Sequence, residues 1–72
     1  MQTRHFEFVE GTSSKFWEVT VRGTAVNVRF GRIGTAGQSQ TKSFPTAAAA
    51  QKHAEQQIAS KLAKGYRELT PA

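Results

Sequence analysis

An α+β fold, a small antiparallel sheet packed against one long helix, is predicted by three observations. Up to Arg32 the apolar residues recur at every second position. Beyond Pro45 they recur at helical steps instead. Glycines and serines punctuate the chain between the apolar runs, as turns between short strands require. At 72 residues the chain is one small domain, 1–72, with a correspondingly modest core.

The first strand is read over Arg4–Val9, where Phe6 and Phe8 stand two apart before the turn formers Gly11-Thr12-Ser13-Ser14. The second, Lys15–Arg22, places Trp17, Val19 and Val21 on one face. Gly23-Thr24 suits a two-residue type II′ turn, whose twist matches that of the flanking strands. The return strand, Ala25–Arg32, puts Val26, Val28 and Phe30 on the same face. Counting from the turn fixes the register: Val21 faces Val26, Val19 faces Val28 and Trp17 faces Phe30. On the other side Thr20 faces Asn27, Glu18 faces Arg29 and Phe16 faces Gly31, where a missing side chain leaves room for a ring. Lys15 then faces Arg32 at the strand ends.

Ile33–Gln40 is a loop punctuated by Gly34 and Gly37, and Gln40–Phe44 a short fourth strand ended by Pro45. Thr46 is the expected N-cap of a helix opened by Ala47-Ala48-Ala49-Ala50. Ala50, Ala54, Ile58 and Leu62 form its inward stripe, and Lys52, Glu55, Gln56 and Ser60 face away. Gly65 ends the helix, with Lys61 and Lys64 in the last turn. Tyr66-Arg67-Glu68-Leu69 either adds a short edge strand or trails off.

Ten lysines and arginines stand against five glutamates and no aspartate, a formal net charge of +5. Such an excess on a small body attracts polyanions. With no cysteine, neither a disulfide nor a thiolate metal site supplements the core. No apolar run has the length of a signal peptide or a membrane span, so a soluble, cytoplasmic protein without a membrane partner is expected.

Acid–base and nucleophilic chemistry need converging groups, and the pattern brings none together. His5 and His53 fall on different elements and read as solvated or rim histidines rather than metal ligands. Gly31-x-x-Gly34 lacks the strand–loop–helix context of a nucleotide fingerprint. The expectation is a protein that is no enzyme and takes no cofactor, metal or small-molecule substrate.

The basic residues separate by position. Arg29 faces Glu18 and Arg22 lies at a hairpin tip. Arg32 faces another cation, Lys15, beside a glycine loop, and phosphate is the natural occupant of such a gap. Phe30 either closes the core or packs on a sugar or base; a half-buried ring does both. Lys42 belongs to the same acid-free stretch, Val28–Phe44. An acidic surface on a protein partner would use these cations equally well.

Phe16-Trp17, Phe30-Gly31-Arg32-Ile33-Gly34, Gly37-Gln38, Lys42, Phe44, the alanine-rich helix start, Lys61 and Gly65-Tyr66 together resemble a WGR domain. The resemblance runs from about Phe6 to Tyr66, with Phe30 where the family's triplet has tryptophan. It implies a sheet flanked by a helix and a module that binds nucleic acid, DNA rather than RNA, near strand ends or nicks. WGR domains of DNA-dependent poly(ADP-ribose) polymerases serve the DNA damage response. In a bacterium the domain would be expected on the nucleoid. Carried over, the family's contacts fall on Phe30 and Arg32, with Gly31 permitting close approach and Lys61 a phosphate candidate.

Overall fold

The structure, a computed structural model, describes residues 2–69. Strands β1 (Gln2–Glu10), β2 (Ser13–Arg22), β3 (Ala25–Arg32) and β4 (Gln38–Ser43) precede helix α1 (Ala47–Ala63) and a final strand β5 (Arg67–Glu68). They form a five-stranded sheet in the order β4-β3-β2-β1-β5, antiparallel at every pairing. The helix crosses one face, carrying the chain from the β4 edge to the β5 edge.

The register derived from the Gly23-Thr24 turn is the register observed, from Arg22 opposite Ala25 to Lys15 opposite Arg32. Gly23 has φ +59 and no non-glycine among the described residues has positive φ, the combination a type II′ turn demands. Three strands are longer than their sequence signals, β1 extending from Arg4–Val9 to Gln2–Glu10. β2 starts at Ser13, because Glu10 pairs with Ser13 across a tight Gly11-Thr12 turn. β4 starts at Gln38, because the ladder continues until Gln38 meets Phe30. All six β4 residues are exposed, so no apolar alternation announces this strand.

Phe6, Trp17, Val19 and Val26 from the sheet close on Ala50, Ala54 and Ile58 of α1. Ala50 is wholly buried and Ala54 nearly so, which brings the helix backbone close to the sheet. Leu62, expected on that stripe, is 47% exposed. Thr46 caps the start, its hydroxyl accepting from the Ala49 amide at 3.1 Å. At the other end Tyr66 N–H donates to Lys61 C=O and Gly65 N–H to Leu62 C=O, a Schellman closure with Gly65 at φ +103.

The sheet's other face carries no helix, yet Phe16 is only 5% exposed there. His5 stacks on it with ring centroids 6.0 Å apart, and the Arg29 guanidinium lies 4.8 Å from its centroid. The loop between β3 and β4 folds over the same ring and is tied down by Arg29 Nη1 donating to Ala36 C=O at 2.9 Å. Arg29 Nε also donates to Glu18 at 2.7 Å, the cross-strand pair expected from register.

Candidate nucleic-acid interface

On the helix-bearing face, successive cross-strand pairs align residues in rows. Phe8, Lys15 and Arg32 form one row over β1, β2 and β3; Phe6, Trp17, Phe30 and Gln38 form the next. The first row lies at the rim. Phe8 offers its ring to Lys15, whose ammonium stands 5.4 Å from the centroid, and its other neighbour is Tyr66 at 5.4 Å between centroids. From the last turn of α1, Lys61 reaches back over the second row. Its ammonium lies 5.6 Å from the Trp17 ring and 5.4 Å from that of Tyr66.

Between α1 and the β3–β4 pair the sheet is left partly uncovered, and a groove of about 1140 Å³ opens. All six residues nominated from sequence line it: Lys15, Phe30, Gly31, Arg32, Lys42 and Lys61. They do not form one cluster. Lys15, Arg32 and Lys61 gather at the rim, whereas Lys42, opposite Val26, lies at the other end of the trough. Phe30 is half-buried, packed on the core yet open to the groove. What Gly31's absent side chain admits is the protein's own loop, since a Cβ there would meet Gly37 Cα at 2.8 Å.

Among the described residues, no acidic side chain lines the groove. Glu18 and Glu7 are drawn to the opposite face by His5 and Arg29, and Glu68 is held by Arg4 at the β5 edge. Glu55 accepts from Gln51 on the outer helix surface. The Arg32 guanidinium has no carboxylate partner among the described residues. Burial, then the positive charges of Lys64 and Lys15, pulls the Lys61 ammonium below its ordinary pKa. A bound anion would offset the repulsion among these ammonium groups.

His5, read as a solvated or rim histidine, is a partly exposed one held between two carboxylates. Its Nδ1 lies 3.0 Å from Glu18 and its Nε2 3.1 Å from Glu7. Desolvation opposes charge on the ring, but the hydrogen bonds to Glu7 and Glu18 outweigh it and raise the imidazole's pKa. His53 rests against Phe44, 4.9 Å between centroids, at the groove's inner end. With Gln57 it completes a polar helix stripe, His53-Gln57-Lys61, that the sequence reading passed over; the i, i+4, i+8 spacing is its signal.

Among known proteins, a family model described as WGR domain matches residues 2–72. The chain is 46% identical over 63 residues to protein YehF of Escherichia coli K12, an alignment covering 88% of this chain and 23% of YehF. It is 35% identical over 65 residues to E. coli K12 YfeS, covering 90% of this chain and 27% of YfeS. The crystal structure of a Bacteroides fragilis protein superposes with a TM-score of 0.91 at 48% identity, over 93% of this chain and 19% of that one. The chain thus spans about a quarter of the length of the curated relatives it matches.

Proposed function

The chain belongs to the WGR family, and from that premise we propose that it binds DNA through sugar–phosphate contacts, with little sequence preference. One observation carries the reading: four cations line a groove that has an aromatic in its floor and, among the described residues, no carboxylate, in a chain that has five glutamates to place. Lys15, Arg32 and Lys61 take phosphates at the rim, where Arg32 offers a bidentate fork and the lysines act as point charges. Phe30 supplies a flat apolar surface for a sugar or base beside them. Lys42 meets a phosphate farther along. A groove overhung by a helix admits a strand terminus more readily than continuous duplex, which favours ends or nicks.

Fluorescence anisotropy of a short labelled duplex tests this. Affinity falls as salt rises, because each neutralised phosphate releases counterions. Arg32→Ala weakens binding by about 1–3 kcal/mol and reduces the slope of log affinity against log salt by about one. Nicked, blunt and unbroken duplexes compared at one salt concentration read out the end preference. An intact fold that ignores DNA and RNA alike at tens of micromolar sinks the proposal and leaves an acidic protein surface as the groove's partner.

A further inference from the structure

We propose that the trough between α1 and β4 is a subsite for one unpaired nucleotide, its base lying on Val28 and Phe30 between Gln57 and Gln40. The inference rests on the nucleic-acid reading and specifies which form of nucleic acid the groove fits. Val28 and Phe30 are both half-buried, packed at the margin of the core, and line the trough. They stand two residues apart on one strand face, about 7 Å, so together they make an apolar floor the length of a base. Gln57 stands on the helical wall, and Gln40 is paired with Val28 on the strand wall.

Each glutamine amide carries two donors and an acceptor with two lone pairs, so the walls can match the mixed donor and acceptor edge of any base. That edge is occupied by pairing in a duplex and exposed only when the nucleotide is unpaired. The cations complete the fit. Arg32 and Lys15 lie one pleat beyond Phe30 on the same face, where the phosphate of a nucleotide so seated would emerge. A volume of about 1140 Å³ accommodates a nucleotide with room for water.

The shared chemistry is a base joined to a phosphate, supplied either by an overhanging strand end or by a free mononucleotide. The test compares a blunt duplex with one of equal phosphate number that ends in two unpaired nucleotides, at fixed ionic strength. The wild type binds the overhang at least about fivefold more tightly, since stacking one base on an aromatic side chain is worth that much or more. Gln57→Leu, which keeps bulk and removes the amide, brings the ratio to within about twofold, and Gln40→Ala does the same. Adenosine monophosphate at millimolar concentration displaces the overhang duplex where inorganic phosphate does not. Equal binding of the two duplexes by the wild type, a ratio that survives both glutamine substitutions, or equal displacement by the two competitors overturns the subsite alone. Failure to bind either duplex overturns the nucleic-acid reading on which it rests.

Discussion

Gly31 and Gly37 lie back to back. A Cβ on Gly31 would stand 2.8 Å from Gly37 Cα, and a Cβ on Gly37 would stand 2.4 Å from the Phe30 carbonyl oxygen and 2.8 Å from the Phe16 ring. Gly37 also holds φ +72, a conformation that L side chains resist. Urea unfolding is therefore expected to rank the alanine variants. Gly37→Ala costs most, about 3 kcal/mol or more, because backbone strain and overpacking act together. Gly31→Ala costs about 1–3 kcal/mol from overpacking alone. Gly23→Ala, with φ +59 and open space around it, costs about 1–2 kcal/mol. Equal costs at Gly23 and Gly37 would show that the loop simply moves aside.

On the proposed reading, Lys61 is expected to set the alkaline limit of binding. Its pKa is lowered from the ordinary lysine value of 10.5, so it loses its proton before an unperturbed lysine does. Duplex affinity should drop as pH rises through that lowered value, by up to about tenfold if one charge-assisted contact is lost. Lys61→Arg stays charged and flattens the profile. Superimposable pH profiles for the two proteins would remove Lys61 from the interface.

The bridge from His5 to Glu7 and Glu18 makes stability depend on pH near neutrality. Its folded pKa is raised, so its contribution is complete below the unfolded value of about 6.5 and disappears as pH climbs through the folded value. Glu18, whose pKa is lowered first by the Arg29 hydrogen bond and further by His5, loses its contribution only in acid. Denaturant titrations at pH 6 and pH 8.5 should show wild type ahead of His5→Gln by roughly 0.5–1 kcal/mol at the lower pH, with the gap narrowing at the higher. A gap that widens on alkalinisation contradicts the bridge.

Ile58 and Leu62 sit one turn apart on α1 and should respond very differently to truncation. Ile58 is 7% exposed, and Ile58→Ala is expected to cost about 2–5 kcal/mol in thermal or chemical unfolding. Leu62, 47% exposed, should lose less than about 1 kcal/mol on the same change. A comparable loss at both positions means that Leu62 is covered in solution.

The central hairpin was legible because one turn signal, Gly23-Thr24, fixed every pair from Val21–Val26 to Lys15–Arg32. Thr46 and Gly65 marked both helix ends for the same reason: each residue type does what few others do locally. What the sequence hid was non-local. Nothing in Arg4–Val9 specifies that His5 lies opposite Glu18, since the Gly11–Ser14 run permits several turn lengths. The pairing of Arg67-Glu68 with β1 depends on where a helix places the chain after crossing the sheet. Arg32 and Lys15 were found through register. The helical wall of the groove was not, because Gln57 is neither apolar nor charged and carries meaning only beside Gln40.

β5 runs antiparallel to β1 with Glu68 opposite Phe6, and the Leu69 amide donates to the His5 carbonyl at 2.8 Å. Residues 2 and 69 therefore lie on the β1–β5 border of the sheet, opposite the β4 border. Such a body can be grafted into a surface loop of a host polypeptide through two short connectors. It can equally be re-opened at Gly23-Thr24 after its old ends are joined. In either arrangement the row of Phe8, Lys15 and Arg32 stays at the far end of β1 from residue 2.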